Sequence, residues 1–246
     1  GSALVARAGL AYATQNWARA LDDARLAAEA LEPAHGWAPM ATALTHAGNV
    51  HLSSGALVEA EALYRRSRAL HQKVGNPHGE AIVLINLGAV YEGLGDHRES
   101  LRCAVEAARV LAELGSPPSP VLLGNIASAH FYLGETSEAR RTLADALSSG
   151  IELGHTFAVL ESLHVFVMHL DAAGEAVAAA SVAGFVLAHP SLHAHTRAAM
   201  RERDYPGVFE RRLGPAAWAA AQRAGAARSL DSTVEFALGW LQGRSS

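Results

Sequence analysis

The stretch Ile85–Leu101 reads INLGAVYEGLGDHRESL, and it decides the fold of this chain. Apolar residues recur at helical spacing as far as Tyr91, and a glycine-flanked break follows at Gly95. Apolar residues three and four positions apart mark one face of a helix. Glycine commonly ends a helix, because it adopts the left-handed conformation without a steric penalty. The stretch therefore predicts two helices joined by a tight turn at Gly95.

The same pattern recurs along the chain with a period of about 40 residues. The glycines that follow the first helices lie 40, 39 and 40 residues apart: Gly55, Gly95, Gly134 and Gly174. A second series, at intervals of 40 and 39 residues, follows the second helices: Gly75, Gly115 and Gly154. Two glycine series with one period indicate a solenoid of helical hairpins, in which each hairpin buries its apolar face against the next.

Small residues at fixed positions predict close helix pairing inside each hairpin. Those of the first helices lie seven residues before the turn glycine: Gly48, Gly88 and Ala127. Those of the second helices lie five residues after it: Ala60, Ala139 and Ala179. We expect the larger Tyr64 and Leu143 to fill the space further along the second helices.

These hairpins resemble the tetratricopeptide repeat. The resemblance rests on two hairpins, with Leu87-Gly88, Tyr91, Gly95 and Ala107 in one and Ala47-Gly48, Gly55, Ala60 and Tyr64 in the other. It implies an all-α, right-handed α-solenoid of about five hairpins over residues 3–188, followed by a helical C-terminal cap over residues 189–246. In the first hairpin we expect Asn16 to replace the turn glycine.

The tail after residue 188 departs from the repeat. Residues 191–204 read as a helix, Gly214-Pro215 should open another, Gly225 should end it, and Ser229 should cap a third. The tail carries large apolar residues that we expect to pack under the last hairpin: Trp218, Leu230, Phe236, Leu238 and Trp240.

The tail is similar to the C-terminal end of large bacterial transcriptional regulators with a STAND-type ATPase switch and a LuxR-type, SARP-type or cyclase domain. The matching elements are Leu213-Gly214, Trp218, Ala221, Gly225, Ser229-Leu230-Asp231 and Ala237-Leu238. The chain has no P-loop or helix-turn-helix signature, so the resemblance places ATP hydrolysis and DNA reading in other domains. Gly1-Ser2 resembles a cloning scar, and we expect the chain to be a piece of a longer protein.

The composition of the chain argues against several classes of function. Half of the residues are hydrophobic and the formal net charge is −4, which argues against a nucleic-acid surface. The single cysteine, Cys103, excludes an internal disulfide and a cysteine-based zinc site. No apolar run approaches the roughly 20 residues of a membrane span, and we expect no signal peptide. We expect a cytoplasmic location and no membrane partner.

No pattern in the sequence supports catalysis, a metal or a cofactor. The spacing of His189, His193 and His195 suggests zinc ligands, but Pro190 interrupts a continuous helix through them. GxSxG, GxGxxG and HExxH do not occur. We therefore expect no enzyme activity, no metal site and no cofactor.

The resemblance to tetratricopeptide folds places a binding groove along the first helices. Position by position it implies these ligand- or partner-facing residues: Thr45, Asn49, Ile85, Asn86, Ala89, Ser128, Phe131, Tyr132, His164 and Met168. Asn49 matches a position that often binds a peptide backbone in such folds. The set contains no Lys or Arg, which disfavours a clamp for a carboxylate tail. Packing between hairpins is an equally good explanation of Phe131, Tyr132 and Met168.

The sequence is compatible with two functions. The first is a ligand-sensing or protein-interaction module of a multidomain bacterial regulator, which controls an attached ATPase switch. Its partners would be a protein or peptide, a small-molecule inducer, or other domains of the same polypeptide, without direct contact to nucleic acid. The second is a free-standing tetratricopeptide scaffold or adaptor.

Overall fold

The computed structural model describes residues 1–192, 196–197, 200–201 and 203–243. Among these residues thirteen α-helices have described bounds, and there is no strand. The helices are α1 (Ser2–Ala13), α2 (Trp17–Leu31), α3 (Trp37–Ser53), α4 (Leu57–Lys73), α5 (Pro77–Gly93), α6 (His97–Glu113), α7 (Pro120–Tyr132), α8 (Thr136–Glu152), α9 (Thr156–Ala172), α10 (Ala176–Ala188), α11 (Tyr205–Leu213), α12 (Pro215–Ala226) and α13 (Leu230–Gly243). The expected all-α hairpin solenoid is confirmed as a fold class.

The first ten helices pair in sequence order into five hairpins, α1–α2 to α9–α10. The glycines of both predicted series have φ between 64° and 79°, so each supplies the left-handed residue that ends a helix. Side-chain caps begin several of the helices that follow. Asn76, Asp96 and Ser119 accept hydrogen bonds from the backbone N–H groups of Gly79, Glu99 and Leu122.

The first hairpin corrects one expectation. Gln15, with a φ of 57°, occupies the left-handed turn position, and Asn16 is the N-cap of α2. The Asn16 side chain accepts a hydrogen bond from the Arg19 N–H at 3.4 Å. Asn16 therefore begins the second helix, and it is Gln15 that replaces the turn glycine.

The chain divides into two compact units, residues 1–118 with α1–α6 and residues 119–246 with α7–α13. Alanine-rich helix contacts fill the first unit, with Tyr64 fully buried between α3 and α4. The core of the second unit contains Leu143, Phe166, Phe209 and Trp218. Each unit buries its own set of apolar side chains.

The tail helices belong to the core of the second unit. α12 packs against α10, and α13 packs against α8 and α9. The Phe166 ring lies 5.9 Å from that of Phe236 and 5.5 Å from that of Trp240. The expectation that the apolar tail residues pack on the last hairpin is confirmed. Ser229 caps α13 as expected, since its Oγ accepts a hydrogen bond from the Ser232 N–H at 3.1 Å.

Two other expectations about the tail change. Gly225 lies inside α12 and does not end it, because the helix continues to Ala226. In the predicted helix over residues 191–204, residues 196–197 and 200–201 are helical, whereas Ser191, Leu192, Arg203 and Asp204 are not. The remaining positions of that segment, His193 and His195 among them, lie outside the described residues.

Candidate functional site

The first helices of the second and third hairpins present an open polar and apolar face within residues 1–118. On α5 the face contains Ile82, 43% exposed, and the half-buried Ile85, Asn86 and Ala89. On α3 it contains half-buried Thr42, His46 and Asn49. These residues repeat every three or four positions, so they share one side of each helix. We call this surface the amide face, after its two asparagines.

Asn49 and Asn86 meet on the amide face. Asn86 Nδ2 donates a hydrogen bond to Asn49 Oδ1 at 3.1 Å, and Tyr64 Oη donates to the same oxygen at 2.7 Å. Among the described residues, Asn49 Nδ2 and Asn86 Oδ1 make no hydrogen bond. The pair therefore leaves one donor group and one acceptor atom available to a ligand.

A second hydroxyl contact joins α1 to α3. Tyr12 Oη lies 3.4 Å from Ser53 Oγ, which belongs to the last turn of α3. Burial raises the pKa of the Tyr64 hydroxyl, and Tyr12 adds to the effect. Tyr64 therefore stays protonated and remains a hydrogen-bond donor throughout the physiological pH range.

Thr45 lies inside the second hairpin, where its hydroxyl is already engaged. It is buried, with its Oγ1 2.8 Å from Ser67 Oγ and 3.1 Å from the Ala41 carbonyl oxygen. Ser67 Oγ also donates to the Ala41 carbonyl at 2.8 Å. In this conformation Thr45 stabilises the contact between α3 and α4 and offers no free polar group.

The other predicted groove residues belong to the second unit and are largely packed. Ser128 and Met168 are buried, and the Tyr132 hydroxyl lies 3.9 Å from the Met168 sulfur. The Phe131 ring contacts Tyr132 at 5.6 Å and His169 at 4.7 Å. These contacts match the packing interpretation that the sequence left open. Whether any of these residues binds a partner stays a prediction.

The chain's own tail contacts α9 at three described positions. Thr196 donates a hydrogen bond to Glu161, and the Tyr205 ring lies 6.0 Å from that of His164. Arg212 pairs with Asp171 at the last turn of α9. On α7, the Arg203 guanidinium lies 5.4 Å from the centre of the Tyr132 ring. The amide face has no comparable cover within its own unit.

A depression of about 390 Å³, which the sequence did not indicate, lies on the second-helix side of the first unit. Arg65 and Arg68 of α4, Tyr91 of α5, and Arg102 and Cys103 of α6 line it. The arginines face carboxylates, with Arg65–Glu61 at 2.7 Å, Arg68–Glu80 at 3.0 Å and Arg102–Glu99 at 2.6 Å. Their charge is thus already balanced, which leaves little attraction for an anion.

Two observations bear on metal binding and on thiol chemistry in the parts of the chain that the structure describes. No group of three or more His, Cys, Asp or Glu side chains there could hold a metal ion. Burial raises the pKa of the Cys103 thiol, which disfavours the reactive thiolate. Among these residues no helix is long and apolar enough to cross a membrane.

Comparison with known proteins supports the repeat assignment. The tetratricopeptide repeat family model matches residues 39–113 and 80–152. The crystal structure of aspartyl phosphate phosphatase F from Bacillus subtilis is similar to this chain, with a TM-score of 0.65 and 14% sequence identity. The match covers 99% of this chain and 61% of the phosphatase structure, so it shows a shared fold. No curated protein matches the sequence.

Proposed function

We propose that this chain is a protein-interaction module that binds an extended peptide segment on the amide face. The observation that carries the proposal is the Asn49–Asn86 pair, which presents an unused donor and an unused acceptor on a half-buried surface. A peptide backbone offers the complementary carbonyl and N–H at every residue. Ile82, Ile85 and Ala89 beside the pair supply apolar contact for side chains, as binding sites generally do.

The phosphatase activity named for the similar structure is not carried over to this chain. Sequence identity of 14% supports a common fold, and fold alone does not define a reaction. Apart from the His46 imidazole, the groups on the amide face are carboxamides, a hydroxyl and apolar side chains, which suit binding better than proton transfer.

Peptides selected from a random display library on the immobilised chain provide the test. Their affinity would be measured by fluorescence anisotropy with wild type and with Asn49→Ala. We expect Asn49→Ala to weaken binding about tenfold or more, because a bound carbonyl loses its donor and Tyr64 loses its acceptor. Asn125→Ala, a half-buried asparagine on α7, is the matched control and should change affinity less than twofold. Equal affinity in all three proteins would contradict the proposal.

Ala89→Trp tests the same face by filling it. The indole would occupy the open surface of α5 beside Asn86, and we expect peptide binding to be lost while the melting temperature stays within a few degrees. If Ala89 instead packs against protein, the large side chain would destabilise the fold by about 1–3 kcal/mol. Retained binding with an unchanged fold would place the binding surface elsewhere.

The similarity of the tail to STAND-type regulators supports a wider role as the sensor or interaction arm of a bacterial transcriptional regulator. A peptide, a protein or a small-molecule inducer that prefers one packing of the arm would bias the attached switch. The gene sequence upstream of the codon for Ala3 tests this role. A P-loop in the same reading frame would support it, and its absence would favour the free-standing scaffold.

A further inference from the structure

Tyr64 connects the buried core of the second hairpin to the amide face. Its ring is fully buried, while its hydroxyl reaches Asn49 Oδ1. Gly48 leaves room for the Tyr64 ring, since a Cβ added there would lie 2.6 Å from Tyr64 Cε1. A Cβ at such a distance would force the ring to move. Gly48, Tyr64 and Asn49 thus form one local arrangement.

The Tyr64 hydroxyl also determines which way the two carboxamides point. Asn49 Oδ1 accepts from both Tyr64 and Asn86, so both of its lone pairs are used. If both side-chain carboxamides were rotated by 180°, Asn49 Nδ2 could donate to Asn86 Oδ1, but the Tyr64 hydroxyl would lose its acceptor. Leaving a buried donor without an acceptor is unfavourable. The observed orientation therefore exposes a donor at Asn49 and an acceptor at Asn86.

The arrangement occurs once in the first unit. The residues at the position of Tyr64 in the neighbouring hairpins are Ala24 and Ala104, and those at the position of Asn49 are Gly9 and Ala89. The tyrosine and the asparagine thus occur together in the second hairpin alone of these three. Ala24 and Ala104 are buried and carry no hydroxyl, so the neighbouring hairpins pack without such a contact.

We propose that Tyr64 is a positioning residue that fixes the polarity of the Asn49–Asn86 pair, so that the pair selects a secondary amide over an ester or a carboxylate. In an extended peptide the N–H and the C=O of one residue point to the same side, so that residue places its carbonyl oxygen at Asn49 Nδ2 and its amide N–H at Asn86 Oδ1. A carboxylate or an ester would place an oxygen without a proton against Asn86 Oδ1. This selection rests on the proposed peptide-binding function, whereas the polarity itself does not.

Asparagine-to-aspartate substitutions at pH 7 test the polarity without any ligand. Asn49→Asp keeps an acceptor for both Tyr64 and Asn86, so the melting temperature should stay within about 1 °C. Asn86→Asp places two acceptor oxygens against each other, and the melting temperature should fall by about 4 °C. Tyr64→Phe should reduce this difference. The reverse order, or a difference that Tyr64→Phe leaves unchanged, would overturn the positioning role.

A capped tetraalanine peptide and its analogue with a backbone ester test the selection. Binding is followed by the side-chain NH₂ signals of Asn49 and Asn86 in ¹⁵N spectra. Wild type should prefer the amide by about tenfold, and Tyr64→Phe should lose most of that preference. Tyr12→Phe, which removes the hydroxyl that lies near Ser53, should keep the preference for the amide. An equal response to amide and ester, or no response to either, would overturn the selection, and the aspartate variants would still decide the polarity.

Discussion

His169, in the last turn of α9, is the residue whose titration should most affect stability. It is buried, its ring packs edge-on against Phe131, and its Nε2 has no hydrogen-bond partner among the described residues. Burial lowers its pKa from 6.5 to about 4, and the positive charge of Arg140 adds to this effect. The folded protein therefore resists protonation at a site that the unfolded chain protonates readily.

We expect the free energy of unfolding to fall as the pH decreases from about 6.5 to about 4. In that window the unfolded chain binds a proton at His169 and the folded chain does not, so protonation favours unfolding. The full effect is about 3 kcal/mol. Urea titrations across this range should show a weaker pH dependence in His169→Leu, whereas the exposed His155→Leu should keep it. Identical pH profiles for His169→Leu and wild type would contradict the assignment.

Individual turn residues show where sequence is sufficient and where it is not. The glycines at positions 55, 95, 134 and 174 could be placed from their period alone, because a left-handed turn favours glycine strongly. Gln15 adopts the same conformation with a φ of 57°, and no residue preference indicates it. The adjacent Asn16 is a residue type found in both turns and caps, which explains why its role was assigned wrongly.

At the scale of helices, the contact between α10 and α12 depends on Gly225. A Cβ added at Gly225 would lie 2.2 Å from the Ser181 carbonyl oxygen and 2.9 Å from the Phe185 nitrogen. Both atoms belong to the backbone of α10, so a small rotamer change cannot relieve the clash. Gly225 therefore permits the two helices to approach closely. In sequence alone, a glycine near the end of an alanine-rich run resembles a helix terminus, which explains why Gly225 was predicted to end the helix.

Gly225→Ala should destabilise the protein by about 3 kcal/mol, because α12 must move away from α10. Gly239→Ala in α13 is the matched control, since an added Cβ there meets nothing within 4 Å. It should leave stability unchanged or raise it by about 0.5–1 kcal/mol through helix propensity. Thermal unfolding by circular dichroism measures both variants. Equal melting temperatures for Gly225→Ala and wild type would show that this contact is not tight.

The helix contacts also show why several residues of the predicted binding set are engaged by other parts of the protein. Position within the repeat put Asn49, Asn86 and Ala89 in the predicted set, and all three are half-buried residues of α3 and α5. It could not predict that Thr45 turns toward Ser67, nor that Tyr205 and Arg212 of the tail contact α9. Those contacts join segments far apart in sequence, and residue spacing within one helix contains no information about them.

At the scale of the whole molecule, the two units present different first-helix faces. In residues 1–118 the amide face is open and carries an unsatisfied donor and acceptor. In residues 119–246 the chain's own Thr196, Tyr205 and Arg212 contact the face of α9. We therefore propose that the first unit binds the partner and that the helices after residue 188 have a mainly structural role.

Mapping a bound peptide by backbone amide chemical shifts tests this assignment most directly. A peptide selected on the wild-type chain would be titrated into ¹⁵N-labelled protein, and the shifted signals assigned. We predict shifts concentrated in α3 and α5, at residues 42–53 and 82–92, with the largest changes at Asn49 and Asn86. Shifts centred on the arginine-lined depression of α4 and α6, or on α7 and α9, would contradict the account.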